Sequence, residues 1–102
     1  MSAIRQILIR HVVIRGRVQG VGYRAWTEYT AIDHGLEGWV RNRRDGAVEA
    51  VFAGAPQAVA EMIEACRRGP PAGCVDEVDE RDGTKDELSA RGRERFAVLP
   101  TA

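Results

Sequence analysis

The seven residues Gly16-Arg-Val-Gln-Gly-Val-Gly22 separate two stretches with different hydrophobic periods. Before them Val12, Ile14, Gly16 and Val18 alternate with His11, Val13, Arg15 and Arg17, the period-two pattern of a strand about eight residues long. After them Ala25, Tyr29, Ile32 and Leu36 fall on one stripe of an amphipathic helix, with Gly35 as its C-terminal cap. The chain must therefore pass from strand to helix through a loop holding three glycines.

The rest of the chain is well punctuated. Leu36–Arg41 and Ala47–Phe52 read as strands joined by Arg43-Arg44-Asp45-Gly46, which carries the Asp-Gly hairpin signal. Pro56 opens a second helix, with Val59, Met62, Ile63 and Cys66 as its buried stripe. Arg67 and Arg68 suit its negative C-terminal end, and Gly69-Pro70-Pro71 stops it. Val75–Glu80 is a fourth, acidic strand suited to a sheet edge. Asp82–Arg93 reads as polar turn, and Phe96–Leu99 as a short last strand. The order is strand–helix–strand–strand–helix–strand. This predicts an α+β, ferredoxin-like split βαβ sandwich, with a four- to five-stranded antiparallel sheet and two helices on one face.

The chain's 102 residues are expected to form one domain, residues 1–102, and 44% hydrophobic content suffices for a core without metal or disulfide support. No apolar run approaches the ~18 residues of a membrane span. Met1–Arg10 carries Arg5 and Arg10 and lacks the cleavage pattern of an export signal, so the protein is read as cytoplasmic. Cys66 and Cys74 have no zinc spacing and lie far from His11 and His34. Both thiols are expected to be reduced structural filler, and no metal is expected. His11, His34, Trp26 and Trp39 take structural readings.

Net charge is zero, which argues against bulk binding to nucleic acid or anionic membranes. The charge is unevenly spread, however. Met1–Arg44 has eight Arg and three acids, net +5, and Asp76–Glu87 has net −5. The first half is thus a candidate site for a small anion. The glycine loop lacks the Gly-Lys-Ser/Thr of a P-loop and the spacing of a dinucleotide loop. A glycine-rich turn into a helix is still a physical anion cup, because backbone N–H groups converge there with those of the first helical turn. Arg24 in that turn opposes the helix dipole by about 0.3–1 kcal/mol, and a bound anion would reverse the sign. At this point two readings stand, an anion cup or a tight turn with a solvated Arg24. A second constellation bears on the choice. Asn42 shares parity with Leu36, Gly38 and Val40, so it points toward the helix-covered face. A polar amide there needs a partner, either turn backbone or a water or ligand near the loop.

The blocks Gly16–Arg24, Gly38-Trp-Val-Arg-Asn42 and Asp45-Gly46-Ala-Val-Glu49 closely resemble the acylphosphatase family, and the spacing between them fits. Gly69-Pro70 leading to Val75 and Val78, and Phe96-Ala-Val98, extend the resemblance from about His11 to Leu99. Gly73 stands where the family commonly has Ala. The resemblance implies a small monomeric enzyme that hydrolyses acyl phosphates to a carboxylate and inorganic phosphate, with no metal or cofactor. It implies that the backbone of Gln19, Gly20, Val21, Gly22 and Tyr23 cradles the phosphoryl oxygens, that Arg24 clamps them, and that Asn42 orients the attacking water. Inorganic phosphate, as the product, should then compete with substrate.

Three competing readings fit less well. A non-catalytic phosphate- or metabolite-binding ferredoxin-like module is opposed by the presence of both Arg24 and Asn42. RNA recognition would need strand aromatics, and Arg15-Gly16-Arg17-Val18 fails that pattern. A unit serving carbamoyl phosphate in hydrogenase-maturation proteins belongs to long multidomain chains, whereas this one runs to Ala102.

Overall fold

The computed structural model describes residues 6–102, so part of the segment read as carrying no export signal lies outside the described residues. The alternating segment forms β1 (Leu8–Arg17), and α1 (Tyr23–Asp33) follows the glycine loop. β2 (Glu37–Asn42) and β3 (Val48–Gly54) form the hairpin, which leads to α2 (Pro56–Arg68) and β4 (Cys74–Asp82). A short α3 (Lys85–Ser89) and β5 (Phe96–Val98) complete the order. The sheet runs β4-β1-β3-β2-β5, with the acidic β4 at an edge as its composition predicts. β1, β2, β3 and β4 pair antiparallel, and β5 adds to β2 in parallel, so the sheet is mixed at that edge rather than antiparallel throughout.

Helices α1 and α2 cover one face, α1 over β2 and β5, α2 over β1 and β4. Val12, Ile14, Val40, Val48, Ala50 and Phe52 point into the core beneath them and are almost wholly buried. Met62, Ile63 and Cys66 fill it from α2 as expected. α1 does not present the expected stripe. Tyr29 and Ile32 are 76% and 49% exposed, and the buried face is Tyr23, Thr27 and Ala31. The reason is hydrogen bonding. The Thr27 hydroxyl donates to the Tyr23 carbonyl at 2.8 Å, and the Tyr23 hydroxyl donates to the Cys66 carbonyl of α2 at 2.7 Å. Two nominally polar residues thus enter the core with their polar atoms satisfied.

Nor is Asp82–Arg93 simply the turn that its polarity predicts. β4 runs to Asp82, and α3 follows behind a capping box: the Thr84 hydroxyl accepts from the Glu87 N–H, while the Glu87 carboxylate accepts from the Thr84 N–H, each at 3.0 Å. This helix lies on the other sheet face. Leu88 packs there on a second cluster of Trp39, Val51 and Ala97, and the Trp39 indole N–H donates to the Glu87 carbonyl at 2.7 Å. His11 and Trp39 are therefore structural, His11 meeting Glu49 at 2.7 Å on the same face. Cys66 is buried filler, whereas Cys74 is exposed at the start of β4.

These contacts make two effects measurable. A Cβ at Gly38, whose φ is 149°, would stand 1.8 Å from the Val51 carbonyl oxygen of the neighbouring strand. Gly38→Ala should lower stability by about 3 kcal/mol through strain and overpacking, measured as a shifted denaturation midpoint; a loss under about 1 kcal/mol contradicts this. Arg81, bonded to both Glu87 oxygens, with help from the Thr84 N–H, holds the Glu87 carboxyl at about 2, below its ordinary 4.5. A depressed folded-state value stabilises fully above the unfolded value and fades as pH falls from about 4.5 toward 2. Melting temperatures of the wild type and Glu87→Gln, which keeps the capping box, should differ most above pH ~5 and converge near pH ~2. Parallel curves would mean that the ion pair contributes nothing.

Candidate active site

The C-terminal ends of β1 and β2 lie on either side of β3, and each leads into one half of the site. β1 delivers the loop. Gly20 and Gly22 take φ of 75° and 79°, backbone that residues with a Cβ seldom adopt, and Gly22 is the N-cap of α1. This cap supplies no side chain, and the first turn contains no acid. From Gln19 to Ala25 no backbone N–H donates to an acceptor among the described residues, the first helical bond being from the Trp26 N–H to the Gly22 carbonyl. The positive end of an eleven-residue helix is thus left open.

β2 delivers Asn42. Its hairpin is shaped by Asp45, which accepts from the Ala47 N–H at 3.0 Å, while the Gly46 N–H donates to the Arg43 carbonyl. That backbone bond to Asp45, with the Arg43 and Arg15 guanidinium groups, lowers its carboxyl below the ordinary range. The Asn42 Oδ1 is buried and has no hydrogen-bond partner among the described residues. The backbone-satisfied alternative for this amide oxygen is therefore not what the structure contains. An orphaned buried acceptor costs about 1–3 kcal/mol and marks a place where a donor belongs.

A cavity of about 340 Å³ joins the two halves. Gly20, Gly22, Tyr23 and Arg24 line it from the loop and helix start, and Asn42 from β2. Arg24 makes no ion pair or hydrogen bond to any of the described residues, so its cation is available to the cavity. Gln19 and Val21 do not line it. Val21 packs against the core, and the Gln19 amide nitrogen donates to the Arg43 and Ala47 carbonyls at 2.7 and 2.8 Å. The Tyr23 side chain is buried, with its hydroxyl bonded to the Cys66 carbonyl. Burial pushes the Cys66 thiol up to about 12, which removes it as a nucleophile near neutral pH. A larger hollow of about 590 Å³ lies at the opposite ends of the strands, but its cation, Arg95, is engaged with the Gly35 carbonyl.

Four cavity residues were missed by sequence reasoning, the first being Val18, just before the loop. Ala25 and Glu28 come from α1, and Glu28 sits one helical turn after Arg24, a spacing that could have marked it. Val98 comes from β5, and only the parallel pairing with β2 brings it there. No helix among the described residues is long and apolar enough to cross a membrane.

Comparison with known proteins gives the family. The family model described as acylphosphatase matches residues 10–97. An acylphosphatase of Bradyrhizobium diazoefficiens is 63% identical over 94 residues, covering 91% of this chain and 95% of that protein. The crystal structure of acylphosphatase from Bacillus subtilis superposes with a TM-score of 0.80 at 34% identity, covering 90% of this chain and 98% of that one. A full-length HypF in a phosphate- and nucleotide-bound form reaches a TM-score of 0.83 at 24% identity, with 99% of this chain but only 13% of that one, which is a likeness of fold. The family match across most of the chain, together with the close full-length relative, makes this protein a member of the acylphosphatase family, an enzyme that hydrolyses acyl phosphates.

Proposed function

We propose that the cavity between the glycine loop and the end of β2 is where acyl phosphate hydrolysis takes place, with the phosphoryl group on the loop side and the attacking water beside Asn42. The observation carrying this reading is the meeting, in one cavity, of an uncapped helix start, an unpaired Arg24 and the orphaned Asn42 Oδ1. The N–H groups of Gly20, Val21, Gly22 and Tyr23, preceded by Gln19 at the loop's start, donate to the phosphoryl oxygens. Arg24 neutralises their charge. Asn42 Oδ1 accepts a hydrogen bond from the water and leaves the water's lone pair directed at phosphorus.

The chemistry requires little more. Water oxygen bonds to phosphorus as the bond from phosphorus to the acyl oxygen breaks. The carboxylate leaves with that electron pair, and the water's protons pass to phosphate and solvent. A carboxylate leaving group has a conjugate acid of pKa near ~4, so no general acid is needed. A loose phosphoryl-transfer transition state asks chiefly for positioning and charge stabilisation, which the cup, Arg24 and Asn42 supply. The reading is metal-independent on these grounds, and inorganic phosphate competes with substrate for the cup. The whole chain, 1–102, acts as one catalytic domain and as a monomer, since every group given a role stands on one chain. A net charge of zero offers no general field for nucleic acid, and two free cysteines suit the reducing cytoplasm.

Arg24 and Asn42 should separate kinetically. Arg24→Ala should weaken phosphate inhibition and lower kcat together, by about 10³-fold in turnover. Asn42→Ala should lower kcat by about 10²–10³-fold while phosphate inhibition changes little, because the ground-state anion does not use it. Full turnover in Asn42→Ala, or loss of phosphate inhibition as severe as in Arg24→Ala, refutes water positioning.

Gln19 offers a third test. Its amide holds the phosphate loop against the hairpin that carries Asn42. Gln19→Ala should lower kcat by about tenfold or more through misplacement of water against phosphorus, with phosphate inhibition nearly retained. Equal loss of both would place Gln19 in anion binding instead.

A further inference from the structure

The roles just proposed leave one ionisable group in the cavity unused, and a role for it rests on that placement of the phosphoryl group. Glu28 is half-buried, lines the cavity from α1, and makes no ion pair or hydrogen bond among the described residues. Arg24 stands four residues earlier on the same helix, within reach of a pair that is not formed. With the phosphoryl group at the cup and water at Asn42, the wall that remains includes Ala25, Glu28 and Val98. Val98 is 43% exposed, an apolar side chain held open at the cavity rim by β5.

We infer that Ala25, Glu28 and Val98 receive the acyl group, and that Glu28 is a specificity-determining residue, disfavouring acyl phosphates whose acyl group is anionic and favouring neutral and cationic ones. A methyl and an isopropyl group offer contact to a small apolar acyl chain, and 340 Å³ is at the small end of ligand cavities. The carboxylate gives that surface its sign. Partial burial keeps its field from full screening by salt, and no described cation is bonded to it. A second negative charge in the acyl group would sit against it, while an ammonium or amide N–H would find an acceptor. Unequal affinity produced by a repulsive element is how a small site discriminates between substrates of similar size.

The test compares benzoyl phosphate with its 4-carboxy and 4-trimethylammonio derivatives, whose para groups cannot cyclise onto the anhydride. kcat/KM is measured for the wild type and Glu28→Gln. Taking each charged substrate relative to benzoyl phosphate, and then each variant relative to wild type, cancels both intrinsic reactivity and any effect of Glu28 on the common phosphoryl group. Glu28→Gln should raise the 4-carboxy ratio about three- to tenfold and lower the 4-trimethylammonio ratio by a similar factor. Both shifts should shrink in about 0.5 M salt. Unchanged ratios overturn the acyl assignment. An equal fall for all three substrates, with loss of a limb of the pH profile, overturns it in favour of Glu28 acting on the water. Arg24→Ala, assayed beside it with benzoyl phosphate, keeps the two levels apart. Its full activity would remove the phosphoryl site itself, whereas its loss of activity with unchanged Glu28→Gln ratios would remove only the acyl subsite.

Discussion

The Gln19 amide is the point on which the site's geometry turns. One half of the machinery leaves the sheet at the end of β1, the other at the end of β2, and the two strands are not neighbours, because β3 runs between them. Two bonds from a single nitrogen, to the Arg43 and Ala47 carbonyls, hold the loop to the hairpin across that gap. Backbone carbonyls in a hairpin have little freedom, so the tie transmits the rigidity of the sheet to a loop that is rich in glycine. Precision of this kind comes from groups that never touch substrate.

The site gathers terms that are unfavourable in the protein alone. An uncapped helix start, a cation near the positive end of α1, and a buried oxygen without a donor each disfavour the empty protein. Elsewhere the chain satisfies its polar groups closely, as in the capping box of α3 or the inward hydroxyls of Thr27 and Tyr23. Of the two buried side-chain atoms without a partner among the described residues, Asn42 Oδ1 and Arg91 Nε, only the first belongs to the cavity, where it meets the open helix start and Arg24.

Local chemistry is the most legible part of the fold. The glycine loop, the Asp-Gly hairpin, Pro56 at the start of α2 and the acidic edge of β4 each come from the backbone preferences of a few adjacent residues. What escapes depends on partners distant in the chain. Thr27 reads as polar until its hydroxyl finds a carbonyl, so periodicity gives the buried face of α1 to Ala25, Tyr29 and Ile32 instead of Tyr23, Thr27 and Ala31. Thr84 and Glu87 do carry a local signal, but a five-residue helix has almost no apolar period to accompany it. At the cavity, Gly20, Arg24 and Asn42 are visible as a motif, whereas Val98 reaches the wall only through a strand pairing that no pattern announces.

The position of β1 has a kinetic consequence. The first strand lies between β3 and β4, so its two edges are completed by segments that begin about 30 and 60 residues after it ends. Its hydrogen bonds cannot form in the order in which the chain leaves the ribosome. A topology dominated by such distant pairings folds in milliseconds to seconds rather than microseconds. The loop at the end of β1 is synthesised before both partners of that strand but acquires its folded shape only after them. Until both of those segments have followed it, the chain therefore carries Arg17, the loop glycines and Arg24 as an unstructured segment.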